Sequence, residues 1–414
     1  MKRILMMKKE NNLSNYIWNA GGTSIYAFSS LLFLIIVERI NGIKSAGLFS
    51  FVFALSLIFY TASIYGGRIY HVSDVKTEFI DNNYINTRIF TIIISFIILI
   101  VFLLFSNYEH NKIILALIIS GTKCFEAFSD SLYGIIQKNN RLDIVGKSLT
   151  FKTIISVLIF LIIDINTKNL VFAASGFLLV NITVTIFVDY NIANRYSSIK
   201  LFSNKNIFKI INKSKYIFLF TIITLLIINV PRFVVDSLFN EELNGYFGII
   251  IMIPTLIALF GQFIIQPMLV SLSNLYNTKK IDDFSKKIYK ILFYVLFLGI
   301  IISVIAYFIG PVALKILYGL SFDKYRVGIF IVTLGGVFNT FATVISNALT
   351  VMRITKSQFI MYVINLATAI ILCIILVKQY DFLGIFISYL IIMIIQFIMF
   401  MGFLMLKINK VEVK

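Results

Sequence analysis

The feature that most constrains this chain is a series of apolar runs that leaves little sequence outside a membrane. Hydrophobic residues make up 59% of its 414 residues, and the mean hydropathy is +0.94. A membrane-spanning helix needs roughly 20 apolar residues. Twelve runs approach or exceed that length: 16–37, 44–66, 86–106, 113–137, 148–164, 169–190, 215–238, 243–271, 287–309, 324–352, 359–377 and 382–406. The connections are too short to hold a soluble catalytic domain.

The runs predict an all-α fold. Backbone polar groups in lipid must be satisfied internally, and a β-barrel strand would alternate polar and apolar residues, which these continuous runs do not. We therefore expect a polytopic membrane protein with about twelve transmembrane helices.

A weak internal repeat with an offset of 198 residues divides the chain into two halves. Each half has six spans, so both halves enter from the same side. This predicts parallel pseudo-repeats around a central cavity, with lobes at 1–190 and 215–414 and a cytoplasmic linker at 191–214. The matching positions are Glu38 with Asp236, Gly47 with Gly245, Phe49 with Phe247, and Val72-Ser73 with Val270-Ser271.

The formal net charge of +18 is distributed as a topology signal. In the twelve-span arrangement, 26 Lys and Arg residues lie on one side, 8 on the other and 3 within spans. By the positive-inside rule, both termini are expected in the cytoplasm. The basic excess is explained by topology and by contact with anionic membrane lipids, so no nucleic-acid partner is expected.

The fourth run carries the strongest chemical signal. Lys123, Glu126, Asp130, Tyr133 and Gln137 are spaced three or four residues apart, which places them within roughly an 80° arc of one helix. An isolated charge at the bilayer centre costs on the order of 2.5–3.5 kcal/mol. The stripe is therefore interpreted either as a hydrophilic cavity wall or as an ion-pair network that locks helices together.

Other spans carry fewer polar residues. Arg232 can bind a phosphate or pair with Asp236 one helical turn away. Lys152 is expected to extend to the membrane surface rather than to bind substrate. Uncharged residues that could contact sugar hydroxyls, or other helices, are Asn19, Tyr26, Gln262, Asn339 and Asn347.

Several site types find no support. A phosphate-binding glycine loop is absent, because Arg141 stands where its first glycine should precede Gly146-Lys147-Ser148. There is no Cys/His cluster for a metal. Cys124 and Cys373 both fall inside predicted spans, which favours small apolar roles over a disulfide. We expect no cofactor and no enzyme activity.

Two segments resemble bacterial polysaccharide flippases of the Wzx type, within the multidrug/oligosaccharidyl-lipid/polysaccharide exporter superfamily. One runs from Glu126 to Ser148, with the sequence EAFSDSLYGIIQKNNRLDIVGKS. The other contains E-R-x-x-G at 38–42, A-G-x-F-S at 46–50 and H-V-S-D at 71–74. Length, span number and repeated halves extend the resemblance over the whole chain.

The resemblance implies a flippase that moves an undecaprenyl-pyrophosphate-linked oligosaccharide to the outer leaflet of the bacterial cytoplasmic membrane. It implies coupling to a gradient of H⁺ or Na⁺ and partnership with other glycan-assembly membrane proteins. Carried over by position, the cavity charges are Lys123, Glu126, Asp130 and Arg232, with Arg68 at the cytoplasmic mouth. From these charges we expect Arg68, Lys123 or Arg232 to bind the pyrophosphate. We expect Glu126, Asp130 or Asp236 to exchange the coupling ion or to belong to a charge network. A multidrug or cation antiporter of the same superfamily is one alternative, and a membrane glycan polymerase or ligase is another.

Overall fold

The computed structural model describes residues 11–74, 78–201, 206–258, 261, 272, 275–276, 278–352 and 354–412. These residues form helices and contain no strand. In chain order the helices are α1 Asn11–Ile64, α2 Gly67–Ser73, α3 Asp81–Leu104, α4 His110–Lys138, α5 Leu142–Thr167, α6 Leu170–Val184, a π-helix Thr185–Tyr190, α7 Asn191–Tyr196, α8 Ile207–Leu238, α9 Glu241–Ile250, α10 Ile281–Phe308, α11 Gly310–Tyr318, a 3₁₀ turn Asp323–Tyr325, α12 Arg326–Val351 and α13 Thr355–Glu412.

The predicted all-α polytopic fold with twelve spans is confirmed. Nine helical segments of the described chain are long and apolar enough to cross a membrane. Two of these, α1 and α13, each contain two spans, which meet at Gly42 (φ 81°) and at Asp381 (φ 51°). Helix α4 is the twelfth span, and its charged stripe makes it too polar to be counted among those nine segments.

The first break supports the internal repeat. Gly42 adopts a left-handed φ that glycine accepts without strain. Asn240, 198 residues later, caps α9 at the turn that follows α8 by accepting a hydrogen bond from the Leu243 amide. The two halves therefore turn at corresponding positions after their first spans.

The helices fall into two compact units, Met1–Ile222 and Ile223–Lys414. The predicted linker 191–214 contains α7 and the first turns of α8, apart from residues 202–205, which lie outside the described chain. Helix α8 continues across the boundary between the units.

The core of the first unit is aromatic. Phe33 of α1 packs against Phe160 of α5 and Phe177 of α6, with ring centres 5.0 and 4.8 Å apart, and Phe49 packs on Phe160 at 5.8 Å. In contrast, α3 exposes Ile93, Ile97 and Val101. Apolar exposure along one helix face is expected where lipid is the solvent.

Candidate functional site: a charged cavity in the first unit

A cavity of about 190 Å³ lies within the first unit, between α1, α2, α4, α5 and α6. The polar stripe of α4 faces it: Lys123, Glu126, Asp130 and Tyr133 all line the wall. Gln137, at the end of the stripe, accepts a hydrogen bond from Arg68 of α2. The predicted stripe therefore forms one side of a hydrophilic cavity, and three charged clusters lie in or next to the cavity wall.

The first cluster joins α1 to α4. The Lys123 ammonium lies 2.7 Å from Glu126 Oε2 and 3.3 Å from the Tyr26 hydroxyl, and Tyr26 also donates to Glu126. The same ammonium lies 4.8 Å from the Phe53 ring centre and 5.8 Å from that of Tyr60. Aromatic faces attract a cation electrostatically, so these rings and Glu126 together position the Lys123 side chain in the cavity wall.

The second cluster joins α2, α3 and α4 around one carboxylate. Asp130 contacts Arg88 through one oxygen at 3.0 Å and Arg68 through the other at 3.3 Å. Arg68 also donates through Nε to Gln137 at 3.0 Å. With two guanidinium groups on one acid, this cluster carries excess positive charge.

The third cluster is the most buried. The Lys152 ammonium of α5 contacts Asp189 at 2.6 Å, Ser129 at 2.7 Å and Thr185 at 3.2 Å. These contacts use all three of its donors. The expectation that Lys152 extends to the membrane surface is therefore wrong: the neighbouring acid provides a counter-ion that makes burial favourable.

The π-helix supplies the acid of this third cluster. Thr185 and Asp189 lie on it and are fully buried, and Asp189 also accepts hydrogen bonds from Ser129, Tyr133 and Ser148. Widening one turn of a helix re-aims its side chains, and such segments are frequent at functional sites. Here the widened turn directs both polar residues toward α4 and α5.

The residues around the cavity show features of both alternatives that the sequence leaves open for the stripe. Lys152 and Asp189 form a lock, because their polar atoms are satisfied by protein partners. Lys152 and Arg68 both line the cavity, but the Lys152 side chain is only 6% exposed whereas that of Arg68 is 24% exposed. The four cations and three carboxylates of the clusters give a net charge of +1 when all are ionised.

Predicted site residues of the second unit lie on its own helices. Arg232 and Asp236 are on α8, where Arg232 is buried and Asp236 accepts a hydrogen bond from Asn244 at 3.0 Å. Asn339 and Asn347 are on α12, and Asn347 donates to the Thr343 carbonyl of its own helix.

The remaining two predicted residues are not part of the described cavity. Gln262 lies outside the described residues. Asn19 lies where α1 crosses Gly146 of α5, and it is absent from the described cavity wall.

Sequence reasoning misses Arg88 and Asp189 as members of the clusters. The sequence assigns Arg88 to the cytoplasmic edge of a span predicted to begin at 86, whereas α3 begins at Asp81 and buries it. Asp189 stands at the end of a predicted span, where an acid is easily assigned to the membrane surface. The sequence feature that could have indicated this cluster is Asp189 at the end of an apolar run that also contains Thr185.

Comparisons with known proteins agree with this architecture. No model of a protein family matches the chain. A curated relative, the capsular polysaccharide biosynthesis protein CapF of Staphylococcus aureus, is 28% identical over 333 residues, covering 78% of this chain and 81% of the relative.

Solved structures resemble the chain over nearly its whole length. An inward-facing multidrug resistance MATE family transporter of the MOP superfamily has a TM-score of 0.70 at 13% identity, covering 96% of this chain and 99% of the other. A MOP superfamily transporter from Pyrococcus furiosus has a TM-score of 0.61 at 14% identity, covering 97% and 96%. At these identities the likeness concerns the fold. The chain therefore shares the fold of these multi-pass membrane transporters, and its sequence is similar to that of a capsular polysaccharide biosynthesis protein.

Proposed function

We propose that this transporter flips an oligosaccharide linked to undecaprenyl pyrophosphate from the cytoplasmic to the outer leaflet of the bacterial cytoplasmic membrane. The lipid tail stays in the bilayer while the sugar crosses. Both termini are cytoplasmic, on the side with 26 of the Lys and Arg residues. Its partners are the lipid-linked oligosaccharide, membrane lipids and other membrane proteins of glycan assembly.

The observation that carries this proposal is the excess positive charge at Arg68. Asp130 is shared by two arginines, and the more exposed of the two lines the cavity. A guanidinium binds a phosphate through parallel hydrogen bonds. An anionic pyrophosphate with a sugar attached therefore matches this cavity wall, where Lys123 is a further cation. Arg232, on α8, stays a separate proposed substrate-binding residue.

The proposed transport cycle is one of alternating access. One lobe rocks against the other and exposes the substrate alternately to the two sides. Glu126, Asp130 or Asp236 exchanges H⁺ or Na⁺ during the cycle, and the ion biases the two states only by its differential affinity for them. Tyr26 and Tyr133 border the cavity, and a sugar that contacts either hydroxyl competes with its hydrogen bond to Glu126 or to Asp189.

The test is the leaflet that holds the lipid-linked oligosaccharide after deletion of the gene. Intact cells are treated with an impermeant sugar-oxidising label. The proposal predicts that the deletion strain accumulates unlabelled, inward-facing intermediate and that the wild-type gene restores labelling. Outward-facing, labelled single repeats in the deletion strain would contradict it and would point to a polymerase or ligase.

A multidrug or cation antiporter is the second candidate, favoured by the likeness to multidrug transporters. Such an antiporter needs a carboxylate that is free to bind a cationic drug. In the described part of the first unit, the two acids that line the cavity, Glu126 and Asp130, are instead paired with Lys or Arg. Resistance to bulky lipophilic cations that requires the gene, with normal oligosaccharide labelling in its absence, would favour the antiporter.

A further inference from the structure

Asp130 is contacted by two arginines whose surroundings differ. Arg88 Nη2 lies 3.0 Å from Asp130 Oδ2 with the Arg88 side chain only 2% exposed. Arg68 Nη1 lies 3.3 Å from the other oxygen with its side chain 24% exposed. Because the two contacts use separate oxygens, both arginines bind the acid at the same time. The cluster of three residues has a net charge of +1.

The buried position of Arg88 is built into the packing. Gly67 of α2 faces it, and a Cβ atom at that glycine would come within 3.1 Å of Arg88 Nη2. Arg88 and Arg68 together line a second, smaller cavity with His71 and Tyr84, whereas Arg68 and Asp130 line the larger one. Arg88 is therefore fixed against the acid, and Arg68 is the arginine that an anion in the large cavity can reach.

The charge balance depends on Arg88. Without it, Asp130 and Arg68 would form a neutral pair, and an anion would have to displace the carboxylate to bind the guanidinium. With it, the negative charge of Asp130 is already compensated. A unit charge several ångströms from a bound anion changes affinity by about tenfold or more at the effective dielectric constant of a protein.

We propose that Arg88 is a positioning residue that neutralises Asp130, so that Arg68 keeps its positive charge for the diphosphate group of the substrate. This role rests on the proposed function, because it assumes an anionic head group in the cavity. Arg88 itself does not touch the substrate.

The test is the affinity of the full-length protein in nanodiscs for inorganic pyrophosphate, measured by calorimetry. We expect Arg88→Gln to weaken binding by about tenfold or more. The double variant Arg88→Gln/Asp130→Asn should bind within a few-fold of wild type, because removal of both charges restores +1. Arg88→Lys keeps the charge and should also stay close to wild type. The matched control is Arg326→Gln, which removes a half-exposed arginine paired with Asp323 in the second unit.

A purely structural role for Arg88 predicts a different pattern. The double variant would then bind no better than Arg88→Gln, and that result would overturn the proposal. Should Arg88→Gln fail to fold, Asp130→Asn alone remains decisive: the charge of the cluster rises to +2, and weaker binding than wild type would contradict the role assigned to Arg88. Absence of pyrophosphate binding by the wild type would overturn it as well.

The outcome is separable from that of the flippase proposal. If the Arg88 and Asp130 variants bind pyrophosphate as expected but the deletion strain shows normal outer-leaflet labelling, the anion site is supported and the flippase proposal is rejected. If Arg88→Gln restores flipping in the deletion strain and binds pyrophosphate with wild-type affinity, the flippase proposal is supported and the role of Arg88 is rejected.

Discussion

At the scale of single residues, the buried acids of the first unit differ in their counter-ions. Asp189 is 1% exposed and contacts the Lys152 ammonium. Asp164 is fully buried, accepts one hydrogen bond from Asn41 at 2.7 Å, and has no Lys or Arg within ion-pair distance among the described residues. Removing one partner of a buried pair leaves an uncompensated charge, whereas neutralising an unpaired acid does not.

These two acids give a matched pair of variants. Asp189→Asn leaves the buried Lys152 ammonium without its counter-ion and should destabilise the protein by about 3–5 kcal/mol. Asp164→Asn keeps shape and volume and should change stability by less than about 1 kcal/mol. Thermal unfolding of the purified protein in detergent compares them, and equal losses of stability would contradict the assignment of Asp189 as the lock.

His71 makes stability depend on pH at the edge of the membrane. Burial lowers the pKa of His71, and its hydrogen bond to Asp81 opposes this only in part. Its Nδ1 atom is buried without a partner. The unfolded state therefore binds the proton more readily, so the stability contribution is fully present above the unfolded pKa of about 6.5 and is lost as the pH falls below it.

We expect the melting temperature of wild type to fall between about pH 7.5 and pH 5.5, and His71→Gln to remove part of that fall. Gln can still donate to Asp81 but does not titrate. Lys138 and Arg88, the cations near His71, are present in both proteins. Identical pH profiles for the two proteins would contradict the assignment.

At the scale of helices, α1 and α5 cross with almost no space between their backbones. A Cβ atom at Gly146 would overlap the carbonyl oxygen of Trp18, and one at Gly22 would overlap the carbonyl oxygen of Gly146. Small residues at such crossings let helices approach closely in lipid. This contact holds α1, which carries Tyr26, against the wall formed by α5.

The crossing predicts opposite effects for two glycines. Gly146→Ala should destabilise the first unit by about 1–3 kcal/mol through overpacking. Gly21→Ala should be neutral or stabilising, because a Cβ atom added at Gly21 would meet nothing within 4 Å and Ala favours a helix. A scan of melting temperature for both variants is the measurement. Tolerance of Ala at Gly146 would show that the helices are further apart than described.

The helices are more predictable from sequence than the clusters that they carry. Apolar runs mark spans because a helix in lipid must be apolar. The run that predicts the fifth span, 148–164, is nevertheless shorter than the helix, which is Leu142–Thr167. Asp143 lowers the local hydropathy of the sequence. In the structure Arg141 Nε lies 2.9 Å from Asp143 Oδ1, and the pair balances the charge of the acid. The stripe of α4 is visible from its spacing alone. Its partners Arg88 and Asp189 come from distant segments, and no local pattern indicates which charges meet.

At the scale of the whole molecule, the cations Lys123 of α4 and Arg232 of α8 are tested together as proposed substrate-binding residues. Lys123→Ala together with Arg232→Ala should reduce surface polysaccharide by roughly tenfold or more, because two cations for the pyrophosphate are lost. Arg326→Gln is the control for removal of a cation elsewhere. Wild-type polysaccharide in the double variant, at equal protein level in the membrane, would exclude the phosphate role of these two residues.

Glu126 and Asp130 are the acids proposed to couple transport to an ion gradient. Glu126→Gln and Asp130→Asn should each impair transport driven by an ion gradient, because neither amide can exchange H⁺ or Na⁺. Uptake into vesicles with and without an imposed pH or Na⁺ gradient is the measurement. Gradient-dependent transport at wild-type rates by both variants would exclude these acids as the coupling groups.

The central claim is that this chain alone moves a pyrophosphate-linked oligosaccharide across a bilayer. The most direct measurement places the purified protein in liposomes that contain the lipid-linked oligosaccharide and follows its access to an impermeant sugar-oxidising reagent. We predict that wild type makes nearly all of the oligosaccharide accessible, while Arg68→Gln leaves about half protected, as in protein-free liposomes. Protection of half the oligosaccharide in the presence of folded wild type, under an H⁺ or Na⁺ gradient, would contradict the claim.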